Sequence, residues 1–506
     1  MPTGIRGLDT ILHGGFFSSG IYLIAGEPGS GKTILSNQIA FNHVASGGRV
    51  VFTSLLSETH ARMFAQLSSL SFFDEGPIGG ALYYISGYGV LQKDGLKGLL
   101  SLLQSAIQDH QATLLVIDGI MHAEPFASSG PTIKEFVHSL HQYAEASGCT
   151  ILLLSSRGSG TGSGTGNGNK AVESDRVSLE TTVDGVIELC RERVGMQSVL
   201  ELEVQKFRGS AHRRGAHTME ITGNGIEVYP RTELLLSSSA SSASSVQAIR
   251  TGPASRERLP FGIERLDEML LGGLLHGSTT VLLGPPGSGK TLLGLHFLAE
   301  GARRDEPGLY FGLNEPPPLV IDAADEIGLD FTGFVSEGRI EIFWQPALEA
   351  SLDLLAQDVL ATVRERGVKR LFIDGLDAFS DVSAYSERLA LFLTALTYQL
   401  RALGVTTLTS VELEHLFGPT VEIPIKGVFA IVENIIFLRY VELRAQLYRF
   451  ISVLKARRSK HDLAIREFTI GEAGIEVSDA LASAEAILTG LARPLPLNEE
   501  PIQGTR

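Results

Sequence analysis

Cysteine is scarce in this chain, and long apolar runs are missing from it. The 506 residues include only Cys149 and Cys190, which form no C-x-x-C pair, so neither a zinc site nor a disulfide framework is indicated. No run of 18 apolar residues occurs, and no charged and then apolar leader opens the sequence. We therefore expect a cytoplasmic protein without membrane segments.

An excess of basic residues is also missing. The chain has 42 lysines and arginines against 57 acidic residues, which gives a net charge of −15 and a pI of about 5.4. Nucleic-acid-binding proteins usually present a basic face, and basic residues interleaved with aromatic ones are typical of single-strand binding. The composition therefore disfavours a nucleic-acid partner.

A phosphate-binding loop occurs twice. Residues 26–33 and 284–291 both fit the pattern G-x-x-x-x-G-K-[ST], each after a strand-like apolar run and before a helix-like stretch. Glycines let backbone N–H groups face a phosphate, the lysine reaches the β- and γ-phosphates, and the threonine hydroxyl binds Mg²⁺. One match alone is compatible with a glycine-rich turn, whereas two in this context predict two ATP sites with Mg²⁺ as the metal. The predicted cofactor-binding residues are Gly26, Gly29, Ser30, Gly31, Lys32 and Thr33 in the first loop and Gly284, Gly287, Ser288, Gly289, Lys290 and Thr291 in the second; both lysines are also predicted to be catalytic.

After each loop comes an apolar run that ends in aspartate. These runs are residues 114–118 and 371–374, they follow the lysine at nearly the same interval in both halves, and they are typical of buried parallel strands. In isolation, such an aspartate could equally well cap the next turn. Beside a phosphate loop, the spacing predicts that Asp118 and Asp374 bind the metal together with Thr33 and Thr291.

Between loop and aspartate, each half has a further strand that leads to a carboxylate. The candidates are Glu58 and Glu315, which could orient and deprotonate the water that attacks the γ-phosphate. Helix initiation explains the same residues, because Ser57 and Asn314 are good N-caps and glutamate favours that end of a helix. Both explanations remain open.

A basic cluster closes each half. Lys206 and Arg208 lie in the first cluster and Lys455 and Arg457 in the second, and each cluster precedes a similar G-I-E-V strand. A charge run is often only a solvated face. Recurrence at the same place favours a role in reaching a neighbouring subunit's triphosphate.

The repeat defines the expected domain organisation. The first domain covers residues 1–230, and a serine-rich linker covers 231–258. The second domain covers 259–478, and residues 479–506 form a mobile tail. An insertion rich in glycine, serine and threonine at 158–169 is expected to be a disordered surface loop.

Taken together, these segments resemble the KaiC family, whose members are tandem RecA-like P-loop ATPases. The resemblance includes the G-I-x-x-L-D segments before both loops. The basic clusters look like the family's K-x-R-G-x-x-H segment with His212 and His461, although Arg458 replaces the glycine in the second cluster. It implies two α/β domains, each a mostly parallel twisted sheet flanked by helices. It also implies a homo-hexamer of two stacked rings with ATP at the subunit interfaces, where Lys206, Arg208, His212, Lys455, Arg457 and His461 act in trans.

The sequence also departs from the family pattern. Clock-type members carry paired glutamates where this chain has Ser57-Glu58 and Asn314-Glu315, so the residue that the family implicates as general base is replaced in both halves. The phosphorylated Ser-Thr pair of the clock proteins corresponds to Phe429 and Ala430, which have no hydroxyl. A phosphorylation-timed clock is therefore disfavoured, although another residue such as Thr420 could accept a phosphoryl group.

Four functions remain to be compared. The favoured one is slow ATP hydrolysis in two stacked rings that couples nucleotide state to an unknown signalling or regulatory protein partner. The alternatives are a serine/threonine autokinase, a nucleotide-holding scaffold with little turnover, and, least favoured, a RecA-like DNA-dependent ATPase.

Overall fold

The computed structural model describes most of the chain as two compact units, Met1–Arg231 and Thr232–Arg506. The described residues are 1–56, 60–129, 132–156, 179–194, 197–235, 257–346, 351–382, 385–413, 431–443, 446–480, 484–485 and 493–494. Glu58, Thr420, Phe429, Ala430 and the insertion at 158–169 lie outside them. No helix among the described residues has both the length and the apolar character needed to cross a membrane.

The first unit alternates strands and helices and ends in a run of strands. Its helices are α1 (Arg6–Ile11), α2 (Lys32–Ala45), α3 (His60–Leu67), α4 (Tyr88–His110) and α5 (Ile133–Ser147), with a 3₁₀ segment at Ile120–Ser129. Its strands are β1 (Ile21–Gly26), β2 (Val50–Ser54), β3 (Leu82–Ser86), β4 (Leu114–Asp118), β5 (Thr150–Ser156), β6 (Gly185–Val194), β7 (Gln197–Phe207), β8 (Ala216–Thr222) and β9 (Gly225–Tyr229).

Within the described residues these strands form one sheet in the order β3-β2-β4-β5-β1-β6-β7-β8-β9. The first six are parallel, and the last four run antiparallel to one another. Side chains alternate across β1, so Leu23 packs into one apolar cluster and Ile24 into the other. Both faces of the central strands are covered, which explains why their sequences are continuously apolar.

The second unit repeats this plan. Its helices are α6 (Glu264–Met269), α7 (Lys290–Arg303), α8 (Pro317–Glu326), α9 (Phe331–Ser336), α10 (Leu352–Arg366), α11 (Ala378–Val382) and α12 (Leu389–Ala402), with a 3₁₀ turn at Ser386–Arg388. Its strands are β10 (Arg258–Leu259), β11 (Leu274–Leu275), β12 (Thr279–Gly284), β13 (Gly308–Gly312), β14 (Ile340–Trp344), β15 (Arg370–Asp374), β16 (Thr406–Glu412), β17 (Asn434–Leu443), β18 (Gln446–Ala456), β19 (Arg466–Gly471), β20 (Gly474–Ala480), β21 (Ala484–Glu485) and β22 (Arg493–Pro494).

The main sheet of the second unit has the order β14-β13-β15-β16-β12-β17-β18-β19-β20, which matches the first unit strand for strand. Apolar clusters again cover both faces. The predicted fold class is thus confirmed: each half is a mostly parallel sheet flanked by helices.

The spacing of the G-I-x-x-L-D segment, which occurs once in each unit, has a local structural cause. Asp9 accepts hydrogen bonds from the backbone N–H groups of Thr3 (2.8 Å) and Gly4 (3.1 Å). Asp267 accepts the corresponding hydrogen bonds from the backbone N–H groups of Phe261 (2.7 Å) and Gly262 (3.0 Å). The aspartate therefore fixes the turn through which the chain enters each sheet.

Part of the expected linker is ordered. Residues 232–235 form one helical turn that belongs to the second unit. Thr232 donates to Oδ1 of the fully buried Asp353 through its N–H (2.8 Å) and its hydroxyl (2.9 Å). Arg388 binds both Glu233 and Asp353. Residues 236–256, which include the serine-rich run, lie outside the described residues.

Candidate nucleotide-binding sites

The first phosphate loop joins the end of β1 to the start of α2. Gly29 and Gly31 have φ angles of 79° and 95°, a left-handed conformation that glycine adopts without steric cost. The Nζ atom of Lys32 donates to the carbonyl oxygens of Gly26 (2.9 Å) and Glu27 (2.7 Å), and the residue is buried. Burial lowers the pKa of Lys32, and the charges of nearby carboxylates oppose this shift. The lysine side chain therefore lies against the loop in which it is predicted to bind phosphate.

The second loop joins β12 to α7 with the same geometry. Gly287 and Gly289 have φ angles of 68° and 97°. Nζ of the buried Lys290 donates to the carbonyl oxygens of Gly284 (2.9 Å) and Pro285 (2.8 Å). Burial lowers the pKa of this lysine too, again against the charges of nearby carboxylates. The two predicted loops thus have equivalent geometry.

A buried hydroxyl in each loop has no hydrogen-bond partner among the described residues. These hydroxyls belong to Ser30 and Ser288, each 1% exposed. A buried polar atom without a partner is costly, so a ligand oxygen at this position would stabilise the loop. The helix that begins at the adjacent lysine directs its first N–H groups and partial positive charge to the same place. Both loops therefore fit a nucleotide phosphate.

The predicted metal ligands of the first unit lie together. The hydroxyl of Thr33 donates to Oδ2 of Asp118 at 3.3 Å, so the start of α2 and the carboxyl end of β4 meet. No group of three or more His, Cys, Asp or Glu side chains able to hold a metal ion occurs among the described residues. A Mg²⁺ ion at this pair would therefore need phosphate oxygens and water for the rest of its shell, as Mg²⁺ prefers.

The corresponding aspartate of the second unit has different neighbours. Asp374 accepts hydrogen bonds from the hydroxyl groups of Tyr310 (3.2 Å) and Ser410. Thr291 is the second residue of α7, directly after Lys290, as Thr33 is the second residue of α2 after Lys32. The equivalent of Tyr310 in the first unit is Phe52, which has no hydroxyl. The two predicted metal sites therefore share their position in the fold and differ in how the carboxylate is held.

Of the two predicted bases, only Glu315 lies within the described residues. It follows β13 and is exposed as a residue. Desolvation of its carboxyl group and, to a smaller extent, the charge of Asp374 nevertheless raise its pKa. A raised pKa makes a carboxylate a stronger base toward water.

Strand pairing reveals a one-residue offset between the two predicted bases. Ser54 and Gly312 end β2 and β13, and each pairs with the predicted metal aspartate of its unit. Glu315 is the third residue after Gly312, whereas Glu58 is the fourth after Ser54 and the third is Ser57. Counting from the loop lysine gives the same difference, since the interval to the glutamate is 26 residues in the first unit and 25 in the second.

The basic cluster of the first unit is tied to backbone carbonyls. Nζ of Lys206 donates to the carbonyl oxygens of Glu180 (2.9 Å), Thr181 (3.1 Å) and Val183 (2.6 Å). Arg208 donates to the carbonyl oxygen of Thr181 at 3.2 Å and remains half-exposed. The lysine therefore braces the strand, and the arginine is the more accessible cation.

The lysine of the second cluster is also tied to a backbone carbonyl. Nζ of Lys455 donates to the carbonyl oxygen of Val432 at 2.8 Å. The histidines that follow the clusters, His212 and His461, are partly buried. Each has one buried ring nitrogen without a hydrogen-bond partner among the described residues.

Both clusters lie at the end of the sheet opposite their own phosphate loop. Phe207 pairs with Gly185, and Gly185 pairs with Tyr22 near the start of β1, whereas the loop follows Gly26. Four residues of strand separate the two ends by roughly 13 Å. In the second unit Ala456 likewise pairs through β17 with the start of β12. Neither cluster is placed to touch the phosphate loop of its own unit.

Sequence reasoning missed the side chains that hold the loops from the neighbouring strand. Arg191 of β6 donates to the carbonyl oxygen of Gly29 at 3.1 Å. Tyr440, at the equivalent position of β17, donates to the carbonyl oxygen of Gly287 at 2.6 Å. It also missed Ser410 and Glu412 near the end of β16. The signal for this pair was present, because both are polar residues near the carboxyl end of a buried strand.

Comparison with known proteins gives a match to each half. The family described as "ATPase: KaiC" matches residues 1–233 and again residues 259–482. The chain is 27% identical over 505 residues to the circadian clock oscillator protein KaiC of Picosynechococcus, which covers 98% of this chain and 93% of that protein.

Two further relatives give similar values. The circadian clock oscillator protein KaiC of Synechococcus elongatus is 28% identical over 511 residues, covering 99% of this chain and 93% of that protein. The circadian clock oscillator protein KaiC 1 of Synechocystis is 24% identical over 505 residues, covering 98% and 92%. These alignments span both phosphate loops and both antiparallel ends of the sheets.

Proposed function

The chain belongs to the KaiC family of ATPases, and we propose that it binds ATP with Mg²⁺ at both loops and hydrolyses it slowly. The observation that carries the proposal is the same group of features in both units. Each loop has a buried lysine bonded to its carbonyls and a buried serine hydroxyl without a partner among the described residues. Each unit also has an aspartate at the carboxyl end of the strand next but one to the strand that precedes the loop.

The chemistry assigned to these residues is positioning and charge neutralisation. Bound ATP supplies the γ-phosphoryl group, and Mg²⁺ neutralises part of its charge. Lys32 and Lys290 hold the β- and γ-phosphates, while Thr33 with Asp118, and Thr291 with Asp374, hold the metal. Glu315 accepts a proton from the attacking water, and the same role is proposed for Glu58.

Slow turnover follows from the residues beside the two glutamates. Ser57 and Asn314 have side chains that cannot accept a proton at neutral pH, so one carboxylate has to act alone in each half. Phosphoryl transfer depends mostly on positioning and electrostatics, so loss of one base slows the reaction without abolishing it.

We also propose that the basic clusters complete the sites in trans in a ring, with six subunits in each ring as the family resemblance suggests. Their position at the far end of the sheet supports this assignment, because a cluster there does not reach the phosphate loop of its own unit. Nucleotide would then bridge subunits and be read out by a protein partner.

Nucleotide binding and phosphate release by the full chain test the proposal. Wild type is compared with Lys32→Ala, Lys290→Ala and the double variant, and bound nucleotide is identified by mass spectrometry. Each single variant should lose one class of site, and the double variant should lose both. Wild-type phosphate release no greater than that of the double variant would refute the ATPase, and absence of bound nucleotide would refute the whole proposal.

A nucleotide-holding scaffold is the second candidate, and the replacement of a carboxylate by Ser57 and Asn314 favours it. It predicts tight binding with no phosphate release above the double variant. An autokinase predicts incorporation of labelled phosphate into the chain. Phe429 and Ala430 cannot accept that phosphate, so phosphopeptides would have to map elsewhere, for example to Thr420.

A further inference from the structure

The second phosphate site contains an acidic side chain that its counterpart lacks. Glu412 is the last residue of β16, and β16 pairs directly with β12, so that Glu412 lies opposite Gly284 at the start of the loop. Its Oε2 atom is 3.6 Å from Nζ of Lys290. A carboxylate thus contacts the lysine that the loop provides for phosphate.

The surroundings of Lys290 make this contact competitive with a phosphate. An ammonium group has three N–H donors. Nζ donates to the carbonyl oxygens of Gly284 and Pro285 and has Glu412 as a third neighbour. The lysine side chain is 9% exposed and that of Glu412 is 49% exposed, so the carboxylate approaches from the solvent side. A β- or γ-phosphate that binds the lysine has to displace Glu412 or lie beside it.

The first unit supplies an internal comparison. Lys32 makes the same two bonds to loop carbonyls, at 2.9 and 2.7 Å. Opposite Gly26, in the position of Glu412, stands Ser156. The two sites therefore have the same loop geometry and differ by one negative charge at this point of the sheet. Within the loop the difference is reversed, because Glu27, whose charge acts on Lys32, stands where the second loop has a proline.

We infer that Glu412 weakens nucleotide binding at the second site by pairing with Lys290 in competition with the nucleotide phosphates. The inference rests on the proposed function, because it concerns the affinity of that same site. Two effects act in the same direction: the ion pair has to be broken or shared, and the carboxylate repels the phosphate charge. Because Glu412 is half-exposed, solvent screens both effects, and the expected change in affinity is only about threefold to tenfold.

The test uses the full chain with Lys32→Ala, so that only the second site binds. Equilibrium binding of a fluorescent ADP and of a slowly hydrolysed ATP analogue is measured with Mg²⁺ at low and at high salt. Glu412→Gln should bind about threefold to tenfold more tightly, with a smaller gain at high salt. Glu476→Gln, which removes the same charge from an exposed position on β20, should leave the affinity unchanged.

The reciprocal variant is made in the first site, in the Lys290→Ala background. Ser156→Glu should weaken binding there by a similar factor. Unchanged affinity in both Glu412→Gln and Ser156→Glu would overturn this inference and leave the proposed function intact. Weaker binding by Glu412→Gln would also overturn the inference, because Glu412 would then support nucleotide binding. If the wild type and the Lys32→Ala, Lys290→Ala double variant both bind no nucleotide, the proposed function and the inference fail together.

Discussion

The hydroxyl of Tyr440 donates a 2.6 Å hydrogen bond to the carbonyl oxygen of Gly287, so that strand β17 holds the second phosphate loop from the side. In the first unit the guanidinium group of Arg191 makes the equivalent bond to Gly29 at 3.1 Å. Two chemically different side chains therefore donate to the equivalent loop carbonyl in the two units. What the fold requires at this position is a donor long enough to reach the loop.

Tyr440→Phe should weaken nucleotide binding at the second site. The substitution removes one hydrogen bond to the loop and keeps the ring, so the loss is about 1 kcal/mol, which is roughly fivefold in affinity. Binding of a fluorescent nucleotide in the Lys32→Ala background measures it. Tyr448→Phe is the matched control, because the Tyr448 hydroxyl bonds only the nearby Gln446 (2.8 Å) among the contacts seen. Equal affinities for the two variants would show that the loop does not depend on Tyr440.

In each unit a hydrogen bond, here called a clamp, joins the helix that follows the phosphate loop to the last strand of the main sheet. In the first unit, Oε1 of Gln38 accepts the N–H of Ile226 at 2.7 Å. In the second, Nε2 of His296 accepts the N–H of Ile475 at 3.1 Å. The helix positions correspond, since Gln38 and His296 lie at the same interval after their loop lysines. The imidazole of His296 can be protonated at the acceptor atom, whereas the amide of Gln38 cannot.

The stability of the second unit should therefore fall in mild acid. Burial, with a smaller effect of Arg303, lowers the pKa of His296 to about 4, and the bond to Ile475 requires an unprotonated Nε2. The unfolded chain binds this proton near pH 6.5, so the contribution is complete above that pH and is lost as the pH falls from 6.5 toward 4. Its full size is roughly 3 kcal/mol.

The only tryptophan of the chain, Trp344, lies in β14 and reports on the second unit alone. Urea unfolding followed by its fluorescence should show a lower midpoint at pH 5 than at pH 7.5. His296→Gln, which copies the first unit, should keep the hydrogen bond and reduce this pH dependence. A wild-type midpoint that does not change between these pH values would contradict the assignment, as would an equal change in His296→Gln.

These clamps show where sequence reasoning stopped. The phosphate loops and the aspartates Asp118 and Asp374 were predictable, because each is set by a local pattern or by the rule that functional residues lie at the carboxyl ends of parallel strands. Gln38 and His296 meet residues about 180 positions later in the chain. Nothing local marks such a pair, since its geometry exists only once the antiparallel strands have closed the sheet.

The offset between Glu58 and Glu315 was visible in the sequence, because the interval from the loop lysine is 26 residues in the first unit and 25 in the second. The pairing of Ser54 and Gly312 with the predicted metal aspartates adds where the extra residue lies. The two strands end in the same register, so the extra residue of the first unit comes after β2. The resemblance to the KaiC family gave the fold correctly, because the fold depends on the repeated apolar strands rather than on this offset.

Glu315→Gln should reduce phosphate release from the second site by about tenfold or more, because the amide cannot accept the proton of the attacking water. The measurement is made in the Lys32→Ala background at saturating ATP, so that a change in binding does not contribute. Glu326→Gln, an exposed glutamate at the end of α8, is the control for the loss of one charge. Glu58→Gln in the Lys290→Ala background should give a similar fall in the first site. Unchanged rates for both glutamine variants would remove these residues from the mechanism.

Mixing two inactive variants should restore part of the activity if the basic clusters act in trans. One variant carries Glu58→Gln and Glu315→Gln, so its loops bind nucleotide with little hydrolysis while its clusters remain intact. The other carries Arg208→Ala and Arg457→Ala, so its clusters fail while its loops remain intact. In a mixed ring, an intact loop of the second variant meets an intact cluster of the first, and phosphate release recovers at those interfaces.

The expected recovery requires that both variants assemble and that they exchange subunits. Light scattering with ATP and Mg²⁺ measures the assembly of each variant and of the mixture. Random mixing at equal ratio places an intact loop beside an intact cluster at about one interface in four, so roughly a quarter of the wild-type rate is expected. Assembled mixtures that stay as inactive as the separate variants would place the clusters in cis. That result would conflict with the strand pairing of Phe207 and Gly185, which sets the first cluster at the end of β1 away from its own loop.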